Sequence, residues 1–208
     1  MRITRKGLER DSVKTINSWV YETIKAAARI LLPSFFELHV EGRENLPERG
    51  SFVLLPKHQR WEDVPLLGLA SPIPLYYVAK TELFTNRLSN WFMTSLGGIP
   101  IDRRRPLASR DSIKTIAWLL KGEAGVVVFP EGTYYRKCMG SGYVGLIRLI
   151  RSHVEVPFIP VGIRYSRKSM RMRVDITFGK TIPWGSSTKP EEFLAAAMGE
   201  IGALSGLR

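Results

Sequence analysis

The sequence predicts a single α/β domain: a mostly parallel or mixed central sheet flanked by helices, with an amphipathic helical segment ahead of it. Three observations carry this expectation. Short β-branched runs bounded by Gly and Pro, such as "SFVLL" (51–55) and "GVVVFP" (125–130), read as strands buried on both faces. Segments of helical periodicity alternate with such strands along the chain. The 208 residues, 44% of them hydrophobic, are enough for one domain with a substantial core.

The first element is a helix from about Asp11 to Leu32, capped by Asp11 or Ser12 and ended by Pro33. Asp11, Lys14, Ser18, Glu22, Lys25 and Arg29 share one arc of roughly 60–80°. Val13, Ile16, Trp19, Val20, Ile24, Ala27, Ile30 and Leu31 take the broad opposite side. Such a helix either packs on the protein's own core or lies on a membrane surface. In the second case Trp19 and Tyr21 suit the headgroup boundary, and "LLPSFF" extends the same surface. The expected division is residues 1–37 as this surface segment and 38–208 as the α/β domain.

"FELHVEG" follows as a strand and "RENLPERG" as a turn. "SFVLL" and "PLYYVAK" (74–80) are strands, and "ELFTNRLSNWFMTSLGG" is a helix ended by Gly97 and Gly98. "IPID" is short and extended. "LASRDSIKTIAWLLKGE" is a helix with Ile113, Ile116, Ala117 and Leu120 on one face, and "GVVVFP" is the clearest buried strand. "VGLIRLIRSH" is helical, "VPFIPVGIRY" and "MRVDITFG" are strands, and "PEEFLAAAMGEIGALSG" is a closing helix. No repeat or low-complexity tract interrupts the series.

Charge and cysteine usage narrow the function classes. With 31 Lys+Arg against 19 Asp+Glu, the formal net charge is +12, which favours anionic partners such as nucleic acid, an anionic bilayer, a phosphorylated substrate or an acidic protein. Cys138 is the one cysteine, so no disulfide forms within the chain; a partly buried, passive thiol in a reducing compartment is expected. No Cys/His cluster has zinc-ligand spacing, and no metal or dissolved cofactor is implied. Neither a secretory signal nor a transmembrane run is expected. A nucleic-acid-binding module is disfavoured: helix-turn-helix, zinc and aromatic RNA-binding signatures are missing and the cations are scattered.

The chemistry concentrates in "LLPKHQRWEDVPLL" (54–67). On a regular helix residues five apart diverge by about 140°, so His58 and Asp63 meet only if His58 lies in the turn and Asp63 in the first helical turn. Pro65 just inside the helix supports that placement. Asp63 would then hold one imidazole nitrogen while the other serves as a base. The alternative is a capping aspartate beside a surface histidine. With no serine or cysteine nearby as an evident nucleophile, a working pair would activate a hydroxyl of the substrate. "FPEGTYYR" runs a buried strand into Glu131, Gly132 and Thr133, where a glycine permits close backbone approach. "GGIPIDRRRP" places Arg103, Arg104 and Arg105 after another short strand, and arginine forks suit phosphate. His39 and His153 read as structural.

In order, His58-x4-Asp63, Gly98-Ile-Pro-Ile-Asp-Arg103, Phe129-Pro-Glu-Gly-Thr133 and "VPFIPVGI" (156–163) resemble the glycerophospholipid acyltransferase family, most of all the lysophosphatidic acid (1-acylglycerol-3-phosphate) acyltransferases. The resemblance spans roughly Leu38 to Trp184. It implies fatty acyl transfer to a glycerol hydroxyl from a thioester on coenzyme A or acyl carrier protein. His58 would be the general base and Asp63 its support. Arg103 would hold the acceptor phosphate, and Glu131, Gly132 and Thr133 would shape the acceptor site. Glu131 would bind a glycerol oxygen or a neighbouring arginine. Lys80, in the family's "AK-x-EL" phrase, would bind phosphate or support an oxyanion, and Pro160 would line a pocket. The acceptor would be a lysophospholipid or glycerol 3-phosphate. The protein would sit peripherally on an anionic membrane, at the cytoplasmic face. A scaffold with an inactive fold is the other possibility, which the presence of both His58 and Asp63 opposes. Four positions depart from the pattern. Lys57 and Arg60 replace a usual Asn and Ser, while Tyr134 and Tyr143 stand where cations are usual, with Arg136 positioned to restore a charge.

Overall fold

The computed structural model describes residues 16–102, 110–168 and 170–207. Among them seven strands form one sheet: β1 (Phe36–Glu41), β2 (Phe52–Pro56), β3 (Leu75–Lys80), β4 (Gly98–Ile101), β5 (Gly125–Val127), β6 (Phe158–Lys168) and β7 (Arg171–Phe178). Their order is β1-β7-β6-β2-β5-β3-β4. Neighbours run parallel except β6 and β7, which form an antiparallel hairpin. The helices are α1 (Ser18–Leu31), α2 (Asp63–Ala70), α3 (Arg87–Ser95), α4 (Arg110–Lys121), α5 (Val144–His153) and α6 (Pro190–Leu204). This is the mixed, mostly parallel α/β domain that the alternating pattern predicts.

The period of two explains how the sheet divides its core. Val53 and Leu55 of β2 face one layer, with Ile116, Leu120, Ile147, Phe193 and Ile201 from α4, α5 and α6. Phe52 and Leu54 face the other, with Leu66, Leu67 and Ala70 of α2. Each fully buried Val, Leu, Ile or Phe among these contributes roughly 1.5–3 kcal/mol relative to exposure. Gly125 is required where β5 enters this packing: a Cβ there would stand 2.8 Å from both Leu75 and Phe52.

Two helices differ from expectation, each for a local reason. Asn17, not Asp11 or Ser12, caps α1, its side chain accepting from the Val20 N–H at 3.2 Å. The residues before Ile16 lie outside those described. The expected helix over 82–98 is broken in two. Asn86 and Ser89 form a reciprocal capping box that starts α3 afresh after a 3-10 turn at Thr81–Phe84. The face of α1 also needs correcting. Tyr21, placed by sequence at a headgroup boundary, is buried with Val20, whereas Trp19, Ile30 and Leu31 are exposed. Cys138 is exposed rather than partly buried.

Candidate active site

β2 and β5 are parallel neighbours, so the segments that leave their carboxyl ends, Lys57–Asp63 and Pro130–Gly140, emerge side by side. The second wraps the first. Tyr135 N–H donates to the His58 carbonyl at 2.9 Å, and Lys137 N–H donates to Gln59 Oε1 at 3.3 Å. Gly132 turns this loop with φ +69°, a conformation that glycine adopts without strain.

His58 lies in the turn and Asp63 is the first residue of α2, the placement that lets them meet. Asp63 is 0% exposed. Its Oδ2 accepts the Gln59 N–H at 2.6 Å and the Arg60 N–H at 2.8 Å, and lies 3.1 Å from His58 Nδ1. An oxygen already taking two backbone N–H groups is an acceptor, so Nδ1 carries the proton and donates. That assigns the lone pair to Nε2. The ring is fixed by stacking on Phe129, with centroids 3.8 Å apart, and by Tyr134 tilted at 4.4 Å. The His58 side chain is 12% exposed, enough to meet a substrate atom while nearly dry.

Beneath this pair lies a second, wholly buried one. Lys57 and Glu131 are each 0% exposed. Lys57 Nζ donates to Glu131 Oε1 at 2.7 Å, to Oε2 at 2.6 Å and to the Tyr135 carbonyl at 2.8 Å. Glu131 also accepts the His58 N–H at 3.0 Å and the Gly140 N–H at 2.7 Å. All three ammonium protons and both carboxylate oxygens are engaged, the condition under which a buried ion pair is tolerated. Glu131 was expected to bind a glycerol oxygen or a neighbouring arginine; its carboxylate is instead buried under the His58 turn, bonded to Lys57 and to the His58 and Gly140 N–H groups. Lys57, one of the replacement cations, is likewise closed to any ligand.

The remaining expected residues separate. Lys80, Glu131, Gly132 and Thr133 line one cleft of about 610 Å³ with Phe129, Tyr143 and the start of α5. Phe129, the ring under His58, forms its wall. Arg136 sits on the wrapping loop. Pro160 is buried in the sheet against Gly179 and lines neither this cleft nor the apolar pocket under α1. Arg103, with Arg104 and Arg105, lies outside the described residues. His39 pairs with Glu41 at 3.2 Å, and His153 caps α5 through the Leu149 carbonyl at 2.8 Å. No group of three His, Cys, Asp or Glu residues suited to a metal comes together among the described residues.

Sequence reasoning missed Tyr165. Its hydroxyl donates to Asp63 Oδ1 at 2.6 Å. Burial, then the Asp63 charge and this bond, push the phenol well above its usual range, so it stays a donor. Strand alternation places Tyr165 on the same face of β6 as Ile159, Val161 and Ile163, but only the register of β6 in the sheet brings it to α2. Tyr165→Phe should lower kcat by about tenfold with KM little changed, since a hydrogen bond to a charged group contributes about 1.5–3 kcal/mol. The pH dependence of unfolding gives an independent check. The unfolded phenol ionises near its ordinary value of about 10 while the folded one stays neutral, so Tyr165 costs stability only as pH rises above that value. The phenylalanine variant should lose part of that alkaline decline. An unchanged kcat would remove Tyr165 from the site's function.

A family model described as Acyltransferase matches residues 37–164. The chain is 36% identical over 115 residues to the 1-acyl-sn-glycerol-3-phosphate acyltransferase of Bacillus subtilis (strain 168), covering 55% of this chain and 57% of that protein. It is 31% identical over 142 residues to the lyso-ornithine lipid O-acyltransferase of Pseudomonas aeruginosa, covering 67% of this chain and 52% of the relative. It thus spans little more than half the length of these relatives. The crystal structure of the 1-acyl-sn-glycerophosphate (LPA) acyltransferase PlsC from Thermotoga maritima superimposes with a TM-score of 0.71 over 96% of this chain and 83% of that one, at 23% identity. At that identity the likeness is one of fold.

Proposed function

Because the chain belongs to the acyltransferase family, we propose that it transfers a fatty acyl group from a thioester, on coenzyme A or acyl carrier protein, to the free hydroxyl of lysophosphatidate, yielding phosphatidate. The observation that carries this reading is the orientation of His58: Nδ1 is committed to buried Asp63 and Nε2 is left as a base. Among the described residues no Ser, Thr or Cys side chain bonds the imidazole, so the nucleophile is the acceptor's own hydroxyl. Its oxygen attacks the thioester carbonyl as Nε2 takes the hydroxyl proton. The tetrahedral intermediate then expels the thiolate, the C–S bond breaks, and the imidazolium returns the proton to sulfur. Asp63 stabilises the imidazolium in between.

The surrounding surfaces suit the two substrates. Lys80 and Thr133 in the cleft beside Phe129, with Arg103 two residues after Ile101 of the same lining in the sequence, supply polar and cationic groups for a phosphorylated acceptor. An apolar pocket of about 270 Å³ opens between α1, α2 and α3, lined by Ile24, Val64, Leu69, Met93 and Leu96. It begins at Val64, the residue after Asp63, and suits part of an acyl chain. None of the described helices is long and apolar enough to cross a membrane. Association is proposed to be peripheral, on the cytoplasmic face of an anionic membrane.

The test is an acyl-transfer assay in detergent micelles, offering a palmitoyl thioester with lysophosphatidate, glycerol 3-phosphate and lysophosphatidylcholine in parallel. Transfer to lysophosphatidate is expected. Arg103→Ala should raise KM for the phosphorylated acceptor by roughly 10- to 100-fold, the equivalent of a charge-assisted contact of about 1.5–3 kcal/mol, with kcat less affected. An unchanged KM would take Arg103 out of that role. A second reading, another lysolipid as acceptor, is favoured by Tyr134 and Tyr143, which put exposed aromatic rings where the family pattern has cations. Transfer in the same assay only to lysophosphatidylcholine would support it.

A further inference from the structure

A groove of about 680 Å³ shares no lining residue with the acceptor cleft and is walled in part by the Arg60–Glu62 turn that leads into Asp63. Three segments frame it: the link from α1 to β1 with Leu32, Phe35 and Phe36, the Arg60–Glu62 turn, and the β6–β7 hairpin with Arg167, Met170, Arg171 and Met172. They are bonded to one another. Met172 N–H donates to the Phe35 carbonyl at 2.9 Å, Arg171 Nη1 to the Pro33 carbonyl at 3.3 Å, and Arg60 Nη1 meets Met172 Sδ at 3.4 Å. Its rim is apolar and protruding: Phe35 is 66% exposed, Trp61 65% and Met170 99%. Three arginines sit among these side chains, against one acid, Glu62, already paired with Arg60 at 3.2 Å. Arg60 Nε and Glu62 Oε2 are buried without a hydrogen-bond partner among the described residues, which leaves polar capacity in the wall of the groove.

We propose that this groove and its rim are where the protein docks on a bilayer containing anionic phospholipid. Exposed tryptophan, phenylalanine and methionine interleaved with arginines match the boundary between acyl chains and phosphates. An acidic protein would satisfy the arginines but would leave fully exposed Met170 without a role. The exposed apolar residues Ile30 and Leu31 at the end of α1 continue the surface. The proposal rests on the lipid reading above and adds a location. The docked face connects to the catalytic pair through Arg60, whose guanidinium lies 5.4 Å from the Tyr165 ring, and through Tyr165, which bonds Asp63. A lipid held at this face is therefore linked through two side chains, Arg60 and Tyr165, to the carboxylate that orients His58.

The test is co-sedimentation of the full chain with vesicles of phosphatidylcholine alone and of phosphatidylcholine mixed with phosphatidylglycerol. The wild type should sediment with the anionic vesicles. Arg167→Glu combined with Met170→Glu changes two exposed side chains outside the catalytic machinery, and it should weaken that binding by at least about tenfold, since each surface charge contributes about 1 kcal/mol. Micellar transfer by the variant should be unchanged. Equal vesicle binding by variant and wild type would overturn the proposal. So would binding to neither vesicle together with capture of a soluble acidic protein that depends on Met170. Vesicle binding needs no turnover, so failure of the acyl-transfer reading in the micellar assay leaves this result standing.

Discussion

His58→Ala is expected to lower acyl transfer by about 10²–10⁴-fold, the usual contribution of a positioned general base. The loss should fall on kcat, because the ring touches the proton that moves and not the groups proposed to hold the substrates. The fold should persist. Asp63 keeps three of its four donors, from Gln59, Arg60 and Tyr165. The stack on Phe129 is the main packing lost, about 0.5–1.5 kcal/mol. For a chain of this size that lowers Tm by only a few degrees, roughly 2–4 °C per kcal/mol. Asp63→Asn separates orientation from charge. An amide oxygen can still accept the Gln59 and Arg60 N–H groups, and Tyr165 can turn to accept from the amide nitrogen. The turn is therefore preserved while the imidazolium loses its counter-charge, and kcat should fall again with little change in Tm. Turnover at the wild-type rate in the alanine variant would sink the assignment of His58, whatever the fold.

The sequence made much of this site legible because its parts are local. His58 and Asp63 are five residues apart, and the only geometric question, whether a turn brings them together, is answered by Pro65 and the strand before it. β2 and α5 are similarly legible, since an apolar run or a helical stripe needs no distant partner to be recognised. The unread parts depend on sheet register. Lys57 and Glu131 are 74 residues apart and meet because β2 and β5 are parallel neighbours. A lysine at a strand end gives no hint that it is buried, and in the sequence Lys57 registers only as a cation in place of a usual Asn. Tyr165 reaches Asp63 across 102 residues for the same kind of reason. The broken helix at Asn86 is different: its capping box was present in the sequence as Asn86 and Ser89, and apolar periodicity across the break masked it.

The Lys57–Glu131 pair should give the largest stability effect in the domain. Lys57→Met keeps most of the side-chain volume but leaves a fully buried carboxylate with only the His58 and Gly140 N–H groups. Glu131→Gln leaves a buried ammonium facing a neutral amide. Removing one partner of a buried pair costs about 3–5 kcal/mol, so each variant should melt roughly 6–20 °C below the wild type. The double variant should lose less than the sum of the two, because no uncompensated charge remains; the difference between sum and double is the coupling that a thermodynamic cycle measures. It should not recover fully. The two backbone N–H groups bonded to Glu131 are then served only by a glutamine oxygen, and a buried donor left unmet costs about 1–3 kcal/mol. Transfer should fall alongside stability in both single variants, since Glu131 fixes the His58 N–H and Lys57 ties down the Tyr135 carbonyl of the loop that covers the turn. Additive effects within about 0.5 kcal/mol in the cycle would show that the two charges do not support one another, and that the His58 turn is held by its backbone alone.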